Sequence, residues 1–188
     1  MTSPARDEVR WEPHTLVIRH AMPEDAETLA SLAGRTFRDA YAAQGDLNAL
    51  EEYVAAHFTA ELLAQQIQDS STVHLLASAA GMPIGYAVLR LGTPPECVRG
   101  PRPIELGRLY LEQSVIGKGY GAALMQACLG EADRLGCETM WLGVWEKNQR
   151  ARAFYKKWGF QDIGTYEFEI GGKVDHDPVM VRSVRTAA

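Results

Sequence analysis

Ile104-Glu-Leu-Gly-Arg-Leu-Tyr-Leu-Glu-Gln-Ser-Val-Ile-Gly-Lys-Gly-Tyr-Gly121 passes from a strand-like apolar run into three glycines at alternating positions, Gly117, Gly119 and Gly121, and then into Ala122-Ala-Leu-Met125. The pattern predicts a strand over Ile104–Leu111, a tight turn, and a helix over Gly119–Leu135. Without Cβ atoms in the way, successive backbone N–H groups in such a turn can point outward, and the helix N-terminus adds a partial positive charge. That combination suits a phosphate or pyrophosphate. The helix is apolar at Leu124, Ala127, Cys128, Ala132 and Leu135, so one face seats on a sheet and its N-terminus is firmly placed.

Several anion sites use glycine turns, and spacing separates them. A dinucleotide fingerprint requires GxGxxG, usually near the first strand, with an acidic residue about 20 positions on. Here the spacing is GxGxG, deep in the chain, although Glu138 falls near that distance. A Walker loop, GxxxxGK[ST], is absent. A coenzyme A pyrophosphate site and a turn kept for packing alone remain.

Outward from this turn, Thr139–Val144 reads as strand and Asn148–Trp158 as a helix closed by Gly159. Strands near Gln161–Phe168 and Val179–Arg185 follow. Upstream, Thr15–Arg19 is a short strand, and Pro23 opens a helix with Glu24, Asp25 and Glu27 in its first turn, where negative charge suits the dipole. Its apolar stripe is Leu29, Leu32, Ala33, Thr36, Phe37, Ala40 and Tyr41. Helices about Leu47–His57 and Ala60–Gln68 lead to a hairpin, Thr72–Ala79 and Ile84–Leu91, turning at Ala80-Gly81-Met82-Pro83. Gly92–Pro103 carries four prolines and two glycines and reads as loop. Strands alternating with helices in the second half imply a parallel pairing, and consecutive strands at either end imply antiparallel flanks. The expected class is α/β, a mixed sheet covered by helices.

With 188 residues, 46% hydrophobic and 23% charged, the chain fits one domain over 1–188, with a loose leader over 1–14. Intrinsic disorder and a disulfide-stapled mini-protein are excluded. The net charge of −5 argues against non-specific nucleic-acid or anionic-membrane binding and is compatible with a cationic substrate. Cys97, Cys128 and Cys137 are odd in number and lack CxxC spacing, which suits free thiols in a reducing cytosol. No apolar h-region marks a signal peptide in Met1–Arg19. Ser70–Leu89 lacks charge, but His74, Gly81 and Pro83 make it a hairpin rather than a membrane span. A cytoplasmic protein is expected. His14, His20, His57 and His74 show no metal-ligand spacing, and the triplet Asp175-His176-Asp177 has no further ligand motif, so no metal is expected.

A second motif follows the first at a fixed distance: Trp141-Leu-Gly-Val-Trp-Glu-Lys-Asn-Gln-Arg-Ala-Arg-Ala-Phe-Tyr-Lys-Lys-Trp-Gly-Phe160. With the strand–GxGxG–helix unit before it and Asn…FYxKxGF within it, the chain resembles the GNAT superfamily of acetyl-CoA-dependent N-acetyltransferases over roughly Leu16–Arg182. More narrowly, Trp141–Asn148 and the tail Phe168-x-x-Gly171…Asp177-x-x-Met180 resemble the PaiA-like polyamine (spermidine/spermine) acetyltransferases.

The resemblance implies a mostly antiparallel sheet of about seven strands whose fourth strand splays from the fifth, leaving a gap for the pantetheine arm. Leu109, Tyr110 and Leu111 would then offer backbone groups to pantetheine. Ile116, Gly117, Lys118, Gly119, Tyr120 and Gly121 would wrap the pyrophosphate. At Ile116 the family commonly has Arg or Gln. Asn148 matches a residue that contacts the cofactor arm, and Lys157 is placed near an anionic end of the coenzyme. Tyr155 matches the tyrosine used as general acid towards the leaving thiolate. An alkyl amine with a pKa near 10.4 is disfavoured as the neutral nucleophile by roughly 4.6 kcal/mol at pH 7, so a base is required. Glu105 matches a position where such enzymes commonly carry Glu.

The resemblance implies direct transfer in a ternary complex to a small-molecule amine, with a polyamine first among acceptors. A protein N-terminus, an amino acid and an aminoglycoside stay open, as does a non-catalytic acyl-CoA-binding module. Asp46, Glu51, Glu52, Asp175 and Asp177 are acidic residues that could attract a polycation or serve as plain surface charge. After Gly171, where PaiA-like sequences often carry acidic residues, this chain has Gly172 and Lys173. Homodimers are common in the superfamily.

Overall fold

A computed structural model describes residues 16–41, 47–170 and 173–185, with side chains over 16–41, 47–167 and 176–185. The expected leader, Asp46, and Gly171 and Gly172 lie outside the described residues, as does the side chain of Asp175. The order is β1 (Leu16–His20), α1 (Ala26–Tyr41), α2 (Leu47–His57), α3 (Ala60–Gln68), β2 (Thr72–Ala79), β3 (Met82–Arg90), β4 (Pro103–Leu111), α4 (Tyr120–Arg134), β5 (Thr139–Gly143), α5 (Gln149–Lys157), β6 (Gln161–Ile170) and β7 (Lys173–Ser183). Seven strands form one sheet, ordered β1-β2-β3-β4-β5-β7-β6. Every pair is antiparallel except β4·β5. The fold is therefore the mixed α/β class expected.

Two apolar layers cover the sheet. On one face α4 and α5 pack Leu124, Met125, Cys128 and Tyr155 against Leu106, Met140 and Leu142. On the other, α1, α2 and α3 pack Leu29, Leu32, Phe37, Val54 and Leu63 against Leu76, Tyr86 and Val88. The α1 stripe read from the sequence is the buried one, from Leu29 to Phe37.

Two local differences from the sequence reading have physical causes. The hairpin turn is confined to Ala80 and Gly81, at φ 51° and 75°. This two-residue, left-handed turn matches strand twist, so Met82 and Pro83 join β3. More consequentially, β7 begins at Lys173 rather than near Val179. The polar Asp175-His176-Asp177 and Pro178 read as loop, yet all four pair with β6. Pro178 is tolerated because its carbonyl accepts from Val144 N–H. Its ring nitrogen faces that same side, where β5 ends, and the ladder to β6 loses no donor.

Candidate active site

The site grows from the way β4 leaves its neighbours. β4 and β5 pair only from Pro103 to Glu105 against Thr139 to Trp141, yet β4 runs on to Leu111 and β5 to Gly143. A bulge against β3 shifts the register between Val88 and Leu89, placing Arg108 opposite Val88 and Leu106 opposite Leu89. The extra residue, Gly107, reverses the alternation. Ile104, Leu106, Leu109 and Leu111 therefore all pack with the α4–α5 layer, whereas Tyr110 packs with the α1–α3 layer. The Arg90 guanidinium lies where a Cβ on Gly107 would stand; glycine there admits it.

A cavity of about 340 Å3 opens in the gap between the two strands and continues to the glycine turn. Its lining includes Leu109, Tyr110, Leu111, Ile116, Gly117, Gly119, Gly121, Asn148 and Tyr155, nine of the expected site residues. Gly117 and Gly119 adopt φ 86° and 88°, and a Cβ at either would meet nothing within 4 Å. Glycine is required there by backbone conformation, not by crowding. The open turn ahead of α4 presents unobstructed N–H groups at the end of a 15-residue helix. A Cβ at Gly121 would sit 3.5 Å from Leu111 and 3.6 Å from Phe154, so the turn passes directly into the apolar cavity wall. An elongated ligand with an anionic middle and a slender apolar arm fits this wall, as coenzyme A requires.

The remaining expected residues stand apart. Lys118 and Lys157 are exposed, and neither they nor Tyr120 line the cavity. Tyr120 packs against the α4–α5 core. Asn148 is the N-cap of α5, its Oδ1 accepting from Ala151 N–H at 3.0 Å. That commits the oxygen and leaves Nδ2 as the donor it can offer.

Tyr155 is 9% exposed, its ring edge-on to Phe154 and Phe160. Burial, with smaller contributions from Tyr110 and Cys128, pushes its phenol above the ordinary tyrosine range. It is therefore a persistent proton donor rather than a phenolate. Glu105 ion-pairs with Arg90 at 3.3 Å and is not itself among the cavity-lining residues. Its charge does act on Tyr166, a residue that is.

One half of the cavity contains only two residues singled out from the sequence, Tyr110 for its backbone and Asp177 for its charge. Tyr41, Tyr110, Trp145, Tyr166 and Asp177 converge on the side facing α1. Tyr41 stacks on Trp145 at 5.6 Å, and its phenol lies close enough to that of Tyr110 for each to perturb the other. Burial pushes the Tyr110 phenol to about 12, with nearby Arg108 pulling the other way. The Tyr166 ring occupies the space above Gly143, where a Cβ would fall 2.5 Å from its hydroxyl. Asp177 is 2% exposed and accepts from Glu146 N–H at 3.3 Å. It lies near both Tyr41 and Tyr166, raising each phenol further after burial has done so. From the sequence Asp177 stood out by the acidic triplet and the tail motif Asp177-x-x-Met180; Tyr41, Trp145 and Tyr166, which join it, come from α1, the segment after β5, and β6. Among the described residues no group of three or more His, Cys, Asp or Glu side chains could hold a metal ion. None of their helices is long and apolar enough to cross a membrane.

Fold and cavity together define an acyl-coenzyme A-type transferase scaffold, and comparison with known proteins gives it a family. Residues 29–160 match the acetyltransferase (GNAT) family. Two uncharacterized N-acetyltransferases, from Mycobacterium bovis and Mycobacterium tuberculosis, are each 37% identical over 161 residues, covering 85% of this chain and 98% of theirs. The chain belongs to the GNAT family and is an acetyl-CoA-dependent N-acetyltransferase. Among solved structures, the PaiA N-acetyltransferase of Thermoplasma acidophilum in complex with coenzyme A superposes with a TM-score of 0.75. It is 24% identical, covering 90% of this chain and 99% of that one. A structure from Rhodopseudomonas palustris follows at TM-score 0.70 and 21% identity, covering 93% of this chain and 99% of its own. At these identities the likeness speaks for the fold.

Proposed function

We propose that this enzyme acetylates the primary amine of a small molecule by direct attack in a ternary complex, as one catalytic domain working in the cytoplasm. One observation carries the acceptor reading: a buried carboxylate, Asp177, lines the cavity together with Tyr41, Tyr166 and Trp145. Aromatic faces beside a carboxylate favour an ammonium group, by quadrupole attraction and by charge. The cytoplasmic setting draws on three free thiols, Cys97, Cys128 and Cys137.

Acetyl-CoA, when bound, supplies a thioester whose acetyl group is activated for attack by an amine. The backbone N–H groups of Gly117, Gly119, Tyr120 and Gly121 would hold the pyrophosphate at the α4 N-terminus, those of Ile116 and Lys118 already donating to the Gln113 and Val115 carbonyls, and the free edge of β4 at Leu109 to Leu111 would hold the pantetheine arm. Lys118 and Lys157 add positive charge from outside the cavity lining. Tyr155 holds a proton for the sulfur that departs. Glu105 is the base; because Arg90 holds it at the edge of the cavity, the proton reaches it through water beside Tyr166.

A polyamine acceptor draws support from Asp39, which lines the same cavity as Asp177 and could receive a second ammonium. Amino acids and protein N-termini are the rival acceptors, and Arg108 bears on the choice. The test is release of coenzyme A thiol from acetyl-CoA across a panel of amines. Acetylation of at least one amine at a rate well above hydrolysis is expected. Tight coenzyme binding without thiol release from any amine would leave a non-catalytic binding module.

A further inference from the structure

Arg108 is a cation that the fold does not neutralise. It leaves β4 at the bulge, opposite Val88, with its guanidinium carbon 4.6 Å from the centroid of the Phe58 ring. Its Nη1 is buried without a hydrogen-bond partner, and the side chain lines the cavity. Glu105, Glu112 and Glu51 are committed to Arg90, Arg35 and Arg38, and Asp39 and Asp177 share the cavity with Arg108 without forming an ion pair with it. Among the described residues no carboxylate pairs with Arg108. Its charge is felt locally, since it helps burial push His74 down to about 4 and opposes the upward push on Tyr110.

Position assigns this charge to the acceptor rather than to the coenzyme. Arg108 stands over Phe58, which belongs to the α1–α3 layer. The glycine turn and α4 stand with the opposite layer. A half-buried guanidinium without a partner is unfavourable unless a ligand completes it. Its planar fork suits a carboxylate or phosphate bidentately, and stacking on Phe58 orients the fork in advance. Asp177, with its tyrosines, offers the complementary charge in the same cavity.

We infer that the acceptor amine also carries an anionic group, a carboxylate or a phosphonate or phosphate, held by Arg108 while its ammonium lies towards Asp177. This rests on the amine-acetylation reading and narrows it away from purely cationic polyamines. No new bond is involved: the anion is held, and the acetyl group goes to the amine nitrogen.

The experiment compares matched acceptors by thiol release: L-lysine with cadaverine, 4-aminobutyrate with butylamine, 2-aminoethylphosphonate with ethylamine, and spermidine by itself. Charge-assisted hydrogen bonds of this kind imply a preference of roughly 10- to 100-fold. The acidic member of at least one pair is therefore expected to lead by that factor in kcat/KM, mainly through KM. The carboxylate and phosphonate pairs show which anion is held. In Arg108→Gln the preference should collapse to within about threefold, and Arg108→Lys, which keeps charge but loses the fork, should retain part of it. The wild-type ratios stand even if Arg108→Gln fails to fold. Turnover of spermidine or the bare amines that equals or exceeds every acidic partner overturns the inference, as does an anion preference that survives Arg108→Gln. Absence of thiol release with every amine instead overturns the amine-acetylation reading, and this one with it.

Discussion

Replacing Tyr155 by Phe removes one oxygen and leaves the ring where it is. The aromatic contacts persist, edge-on to Phe154 at 5.5 Å and to Phe160 at 5.7 Å. Stability should therefore change by no more than about 1 kcal/mol, the net scale of one hydrogen bond. If the phenol supplies the proton to the leaving sulfur, kcat falls roughly 10²- to 10⁴-fold, equivalent to about 2.7–5.4 kcal/mol of barrier. The affinity for coenzyme A should hardly move, since the ring and not the hydroxyl forms the cavity wall. Burial adds a pH signature: a phenol held above the ordinary range stays protonated where a free tyrosine would ionise. Wild-type turnover should accordingly show no loss assignable to Tyr155 ionisation up to about pH 10. Single-turnover thiol release at saturating amine, alongside calorimetric titration with coenzyme A, separates the two effects. A kcat within threefold of wild type, or a loss matched by lost coenzyme affinity, would show Tyr155 to be a packing residue.

Three other outcomes test separate parts of the site. Glu105→Gln should lower turnover at neutral pH at least tenfold and alter the pH–rate profile; an unaltered profile excludes Glu105 as the base. Gly119→Ala should destabilise the fold by about 1–2 kcal/mol, because alanine at φ 88° is strained. It should also weaken coenzyme binding, both readable by thermal unfolding and titration. His74, driven down to about 4 first by burial and then by Arg108 and Arg90, binds its proton more weakly folded than unfolded. Its contribution to stability is therefore complete above about pH 6.5 and is lost as pH falls towards 4, by up to about 3 kcal/mol. Denaturant titrations of wild type and His74→Leu at pH 7 and pH 4.5 measure this, and equal pH dependence in the two would contradict it.

The half of the cavity at the glycine turn was legible because it is built from consecutive residues. Gly117, Gly119 and Gly121 lie within one turn, and Asn148 and Tyr155 within one helix and its cap. Local spacing carries such information directly. The opposite half combines Tyr41 from α1, Tyr110 from β4, Trp145 from beyond β5, and Tyr166 and Asp177 from β6 and β7. No spacing rule joins them. The strand placement of Asp177 escapes local rules for the same reason: Asp-His-Asp-Pro resembles a loop until β6 is known to pair with it.

The amino-acid sequence by itself determined the order of elements, the mixed sheet, the buried stripe of α1 and the glycine turn ahead of α4. Each follows from periodicities and dihedral preferences that act over a few residues. The splay of β4 from β5 was already implied by the family resemblance; only the tertiary structure decided that it begins after Glu105 and that a bulge at Gly107 reverses the faces of the strand. It alone set Glu105 against Arg90 while leaving Arg108 without a carboxylate partner among the described residues. Strand register and charge pairing depend on which distant segments come into contact, and that is settled by packing the whole core at once.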